Sequence, residues 1–269
     1  MSLDEALARA RHRGGRRFVA ITLDDGYADN LTEGYPIFLR HRVPVTVFVT
    51  TGYIDRALPM WWVAFDLLIR NGDSLVLPEG EVPTCDAAEK AAAFAASRDL
   101  VMRLPPERHP EFFDWLFEVN AAPEVREAAE AASLGWPQVR EMAASGLVTI
   151  GCHTVSHPVL NGLKRESCAA EIICARDRIA EEVGETPRFF AYPYGSAAQV
   201  GREAPRLVAE AGFAAAFTTC RGLLDGAIMD PYAVPRISLE VEDLPLARAY
   251  ISGLPFVLRG GSRRTTHAG

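Results

Sequence analysis

The chain has 269 residues, a formal net charge of −7 and 49% hydrophobic composition. That length and apolar content suit one sizeable core, and the acidic balance excludes a phosphate-backbone binder, because nucleic-acid affinity draws on Lys and Arg neutralising phosphates. Residues 1–18 hold no apolar stretch of secretory h-region length and no later run is long enough to span a bilayer, so a cytoplasmic chain without a transmembrane segment is expected.

Short β-rich runs at 17–23, 44–50, 147–152, 188–192, 213–219 and 233–239 alternate with helical patterns. This alternation predicts parallel strands joined by crossover helices within a single domain, 1–269. The first run ends in "LDDG" and leads into "NLTEGYPIFLRHR", one covering helix interrupted by Pro36. Residues 53–135 break the rhythm with Met60, Trp61 and Trp62, a Pro/Gly-rich turn region at 71–84, and alanine-rich helical stretches. They predict a helical insertion suited to a lid or a homodimer surface, with the aromatic cluster anchoring the inserted helix ahead of serving as a sugar-stacking platform.

"WPQVREMAASG" predicts a helix with Pro137 in its first turn and Gly146 at its end, directly before the strand "LVTIGC". In "LKRESCAAEIICARDRIAEEVGETP", Cys168, Ile172, Ile179 and Val183 fall near helical spacing, with Gly184 and Pro187 as stop signals. The segment "LARAYISGLPFVLRGGSRR" mixes apolar residues with arginines. It reads as a final covering helix, with peripheral contact to an anionic membrane as the second reading, and 259–269 reads as a flexible tail. The five cysteines include no CxxC pair, which suggests neither a disulfide framework nor a cysteine zinc site.

In a parallel α/β array functional groups collect where strands end, and three polar motifs fall at such points. Asp24 and Asp25 end the first strand, "CHTVSH" ends the strand from Leu147, and "AYPYG" ends the strand from Arg188. Pro158 directly follows His157 and disfavours helix there, so His153 and His157 belong to a strand-end turn. Two imidazoles and a carboxylate leave positions open on a divalent ion, the pattern of a catalytic metal site, and Asp25 is the obvious carboxylate. An Asp-Asp-Gly is ordinarily a turn or helix cap, and two histidines alone are as often loop residues. Both motifs at strand ends, in a chain with six histidines, favour a shared site.

This combination resembles the polysaccharide deacetylases of carbohydrate esterase family 4. "TLDDG" is similar to that family's TFDDG with Leu23 in place of Phe, "HTVSHPVLNGL" to its H-[ST]-x-x-H-P-x-L-x-x-L, and "FFAYPYG" to its third motif. The resemblance spans residues 17 to about 240 outside the insertion. It implies an α/β fold, the NodB-type distorted (β/α)7 barrel, with a helical insertion at about 53–135. It implies Asp24 as general base, Asp25, His153 and His157 as ligands of a divalent metal, and the Tyr194 N–H as oxyanion donor. It also places Tyr192, Pro193 and Gly195 at the substrate. The metal implied is zinc (Zn2+), with Co2+, Mn2+ or Ni2+ as alternatives. The substrate implied is an N-acetylated glycan, either an exopolysaccharide or its lipid-linked oligosaccharide precursor. A small cyclic amide, or a weakly active carbohydrate-binding role, are the other readings.

Two departures stand out. Many members carry an arginine in the third motif that braces the catalytic Asp, and here Ala191 occupies that place, so Arg236 in "YAVPRISLE" is expected to reach in and pair with Asp24. The family's final L-x-H histidine is also missing from "ISLE". Of the remaining histidines, only His109 lies in a segment able to fold over the mouth as an acid, its ordinary reading being a helix cap or surface residue. Otherwise Asp24, or a water on the metal, must deliver the proton.

Overall fold

The computed structural model describes residues 1–11, 17–224, 230–239 and 243–253. Helix α1 (Leu3–Ala10) starts at Ser2, whose hydroxyl accepts from the Glu5 N–H while the Glu5 carboxylate accepts from the Ser2 N–H. Strand β1 (Ile21–Leu23) follows. The single helix predicted after it is a π-helical turn, Asn30–Gly34, running into α2 (Tyr35–His41). Pro36 sits in the first turn of α2, just where the π-helical turn runs into it.

Strand β2 (Val45–Val49) leads to the short α3 (Thr51–Ile54) and into the insertion. That insertion comprises α4 (Trp61–Asn71), β3 (Ser74–Leu77), β4 (Gly80–Pro83), α5 (Ala87–Arg103), α6 (His109–Val119) and α7 (Pro123–Ala131). The alternating part resumes with α8 (Trp136–Ala144), β5 (Val148–Cys152), α9 (Arg165–Val183), β6 (Phe189–Ala191), α10 (Ala197–Val200) and α11 (Glu203–Glu210). It closes with β7 (Ala215–Arg221), β8 (Val234–Arg236) and α12 (Leu244–Ile251).

The main sheet has the order β1-β2-β5-β6-β7-β8, every pair parallel. It curls so that its two edges approach: Arg236 on β8 donates to the Thr22 hydroxyl on β1 at 3.1 Å. The result is the NodB-type distorted barrel, open at that seam, with six strands rather than seven among the described residues. The runs at 17–23 and 233–239 shrink to three-residue strands at the two edges of the sheet.

All five residues of β2 are buried, and its alternation sorts two cores. Val45, Val47 and Val49 face the outer layer, where α8, α9 and α11 cover the sheet with Trp136, Val139, Ile172, Ile179, Leu207 and Val208. Phe48 faces the barrel interior with Phe189, Phe217, Val234 and Leu3 of α1. Opposite Phe48 in register stands Gly151, and a Cβ there would lie 2.4 Å from the Phe48 ring, so only glycine lets the ring cross β5.

The insertion carries its own core, in which Trp61, Phe65 and Leu68 pack against Phe112, Phe113 and Leu116. The region at 71–84, expected as turns, is a β3–β4 antiparallel hairpin that buries Leu75 and Leu77 in this second core. Among the described residues no helix is long and apolar enough to cross a membrane. The five cysteines are free thiols. The expected tail at 259–269 lies outside the described residues.

Candidate active site

The C-terminal ends of β1, β5 and β6 meet at a cavity of about 310 Å³. Asp24, Asp25, His153, His157 and Tyr194 line it, together with Tyr27, Trp62 and Thr219. Three motifs that lie far apart in sequence, Asp24–Asp25, His153–His157 and the Tyr194 turn, thus share one wall, because parallel strands in one sheet end on the same side.

His153 Nε2 and His157 Nε2 each lie 3.3 Å from Asp25 Oδ1. One donor atom from each of the three residues falls within 4.8 Å of the others. The His153 Nδ1 is 2.7 Å from the Ala191 carbonyl, so that nitrogen donates its N–H and leaves the Nε2 lone pair facing the cluster. Asp25 Oδ1 is buried and makes no hydrogen bond of its own. An orphaned carboxylate oxygen facing two imidazole nitrogens fits a divalent ion such as Zn2+ in donor type and number, with coordination positions left over.

The electrostatics agree. Burial acts to raise the Asp25 pKa, and the two imidazoles overcome it, holding the carboxyl far below the usual range. For His153 burial acts downward, and the neighbouring Asp25 and Asp24 reverse it, leaving the imidazole above its ordinary value. His157 remains below its ordinary value because burial dominates.

The backbone is strained here. Asp25 (φ 72°), Thr154 (φ 69°), His157 (φ 57°) and Tyr194 (φ 58°) all occupy the left-handed region without being glycine. Such residues cost about 1–3 kcal/mol each and persist only where surrounding contacts enforce them. The enforcing contacts are on hand. The His157 N–H donates to Thr154 Oγ1 at 3.0 Å, and Thr51 N–H and Gly52 N–H donate to the carbonyls of Thr154 and Val155. Glu171 accepts from the Val155 and Ser156 amides.

Arg236 meets Asp24 with two parallel bonds, Nη1 to Oδ1 at 2.7 Å and Nη2 to Oδ2 at 2.6 Å. Its Nε donates to the Thr218 carbonyl at 3.1 Å, and its guanidinium lies 5.8 Å from the Phe48 ring centroid. Strand β8, the inner core and β1 all fix this one side chain.

Tyr194 sits on a tight bend with its ring against His157, centroids 4.7 Å apart. The Thr219 hydroxyl donates to the Tyr194 carbonyl at 2.6 Å and the Thr219 N–H to the Gly195 carbonyl at 3.1 Å. A Cβ on Gly195 would lie 2.5 Å from Thr219 N, so the close approach requires glycine. The Tyr194 N–H has no acceptor among the described residues. Of the expected substrate contacts, Tyr192 reaches the cavity floor, with its ring buried and its hydroxyl donating to the Tyr232 carbonyl. Pro193 and Gly195 are absent from the cavity wall and shape the Tyr194 turn instead.

His109 is neither at the mouth nor on the surface. It begins α6 at 3% exposure, its Nε2 is 3.3 Å from the Leu104 carbonyl, and burial holds its pKa below the ordinary value. Among the described residues no histidine besides His153 and His157 lines the cavity. The two tryptophans divide their tasks: Trp61 anchors the insertion core as expected, whereas Trp62 faces the cavity. The Trp62 indole N–H donates to the Tyr27 hydroxyl at 2.5 Å, and its ring stands edge-on to His157 with centroids 5.2 Å apart. Tyr27, Thr219 and Glu171 escaped the sequence reading. Only Glu171 left a signal, as an acid three residues after Cys168 on the buried stripe that continues through Ile172, Ala175 and Ile179.

A curled parallel sheet presenting an Asp-His-His donor set beside an arginine-held carboxylate defines a barrel hydrolase with a candidate metal centre. The polysaccharide deacetylase family matches residues 11–216, and the chain belongs to that family. Among solved structures it is similar to the deacetylase PplD of Streptococcus pyogenes, at 16% identity over 93% of this chain and 78% of that one, with a TM-score of 0.59. IcaB from Ammonifex degensii is 19% identical over 93% and 81% of the two chains, TM-score 0.57. A de-N-acetylase from Aggregatibacter actinomycetemcomitans is 16% identical over 93% and 82%, TM-score 0.56. At these identities the likeness speaks for the fold. No curated protein sequence matches the chain significantly.

Proposed function

We propose that the chain is a metal-dependent carbohydrate N-deacetylase that hydrolyses the acetamido group of N-acetylhexosamine units in an exopolysaccharide or its lipid-linked precursor. The observation that carries this reading is the juxtaposition of two differently held carboxylates. Asp25 faces two imidazoles, and Asp24, one residue away, is gripped by Arg236 at the same cavity.

Asp25, His153 and His157 would hold the divalent ion, which when bound supplies Lewis acidity toward the acetyl carbonyl and the attacking water. The chain's own residues do the rest. Asp24, oriented by its two-pronged ion pair, accepts the proton of the water as its oxygen adds to the acetyl carbon. The free Tyr194 N–H, fixed by Thr219 and Gly195, donates to the oxygen that gains negative charge. With no further histidine in the cavity wall among the described residues, Asp24 returns its proton to the sugar nitrogen as the C–N bond breaks, leaving acetic acid and the amine, which a proton transfer converts to acetate and the ammonium. Tyr27 and Trp62 give the mouth an aromatic wall suited to a pyranose face.

Acetate release from short N-acetylglucosamine oligomers, compared with release from a lipid-linked N-acetylhexosamine and from small cyclic amides, tests the substrate class. Turnover confined to cyclic amides would contradict it. The missing acid histidine favours one second reading, a carbohydrate binder with little turnover, which predicts oligomer binding without acetate at saturating zinc or cobalt.

A further inference from the structure

The turn between the two histidines is held from both sides. The first turn of α3 donates Thr51 N–H to the Thr154 carbonyl at 3.1 Å and Gly52 N–H to the Val155 carbonyl at 2.8 Å. From the opposite side the Glu171 carboxylate of α9 accepts Val155 N–H and Ser156 N–H on one oxygen, each at 2.9 Å. Its other oxygen accepts the Ser156 hydroxyl at 2.8 Å. Glu171 is 7% exposed and sits on a helix face otherwise made of Cys168, Ile172, Ala175 and Ile179.

A buried carboxylate at such a position costs desolvation free energy that an apolar residue would avoid. What it provides is a fixed pair of amides between Thr154 and His157, the two left-handed residues of the turn. Glu171 is not part of the cavity wall. Its influence on the site runs through the backbone that aims His157.

We propose that Glu171 is a positioning residue for the metal centre, clamping the Val155–Ser156 amides so that His157 Nε2 stays directed at Asp25 Oδ1. The inference rests on the reading of Asp25, His153 and His157 as metal ligands. The clamp sets metal affinity without touching the ion.

The test is zinc titration of the full-length chain against a chromophoric chelator, with the melting temperature in excess EDTA and the cobalt(II) absorption spectrum as companion readouts. Glu171→Ala weakens zinc binding about 10- to 100-fold, the range typical for groups that orient ligands, and alters the cobalt spectrum. Glu171→Gln holds affinity to within about threefold of wild type, because its amide oxygen accepts both N–H groups and its amide nitrogen donates to Ser156 Oγ. Glu171→Asp, one methylene shorter, loses about tenfold while melting near wild type in EDTA, and it decides the matter if the alanine variant does not fold. Wild-type zinc affinity and cobalt spectrum in the folded Ala or Asp variant overturn the proposal. A Gln variant as weak as Ala also overturns it, since the effect would then follow charge rather than amide geometry. A wild-type chain that binds no zinc overturns the metal reading itself, an outcome distinct from failure of the clamp alone.

Discussion

Arg236 and Asp24 lie at opposite edges of the sheet, 212 residues apart in sequence, and form a two-pronged ion pair at 2.6 and 2.7 Å across the seam of the barrel. The pair closes the fold and builds the site at once. Its side chains are 15% and 27% exposed, so solvent screens it only in part.

Removing the guanidinium therefore acts on both levels. Arg236→Ala is expected to cost about 1–3 kcal/mol of stability, the range for hydrogen bonds to charged groups, and to lower kcat about a hundredfold with KM nearly unchanged. Arg236→Lys recovers little, because an ammonium cannot reproduce two parallel bonds. Steady-state kinetics and thermal melts check both, and added guanidinium is expected to restore part of the alanine variant's activity.

Asp24 and Asp25 are adjacent yet separable. Asp24→Asn is expected to reduce acetate release by about 10²–10⁴-fold while zinc affinity stays near wild type. Asp25→Asn is expected to lose zinc affinity and activity together. Chelator competition alongside kinetics distinguishes the two patterns.

Metal binding must displace a proton from His153. His153 is held above its ordinary value in the metal-free protein, so it is protonated over a wider range than a free histidine, and binding must expel that proton. Apparent zinc affinity, and with it the zinc-induced rise in melting temperature, is expected to fall as pH drops through the His153 value, beginning above about pH 6.5. Titrations at pH 8, 7 and 6 read this directly. Affinity that is flat over the range would contradict the ligand assignment.

Trp62 brings the insertion to the cavity. Trp62→Ala removes the indole beside His157 and frees the Tyr27 hydroxyl, whose pKa burial and the Asp25 charge push up to about 12. Oligomer KM is expected to rise about tenfold, equal to about 1.4 kcal/mol of lost ligand contact, with a smaller change in kcat.

Gly151 offers a test of the scaffold. Gly151→Ala forces a methyl into the Phe48 ring two residues before His153, and about 1–3 kcal/mol of destabilisation is expected. Thermal melting of the zinc-free protein checks it without reference to catalysis.

Much of this was legible in the sequence for physical reasons. A parallel sheet places its strand ends on one side, so Asp24–Asp25, His153–His157 and the "AYPYG" turn were bound to converge once the runs were read as parallel strands. Arg236 was legible only by default, as a substitute for what Ala191 lacks. The β3–β4 hairpin was not, because Pro78 and Gly80 dominate so short a segment that its buried Leu75 and Leu77 carry too little pattern. His109 does stand at a helix boundary, as its ordinary reading had it, but its burial was not legible, because nothing local reveals that α6 turns its first residue inward. The Trp62–Tyr27 and Glu171–Ser156 contacts join segments 35 and 15 residues apart, and spacing within either segment does not encode the other.

The most direct measurement is acetate release from an N-acetylglucosamine oligomer by the wild-type chain and by Asp24→Asn, each after chelation and after zinc or cobalt is restored. Chelation is expected to abolish wild-type release and restored metal to return it, while Asp24→Asn stays at least about a hundredfold below the metal-restored wild type under both conditions. Release that survives both chelation and the substitution would contradict it.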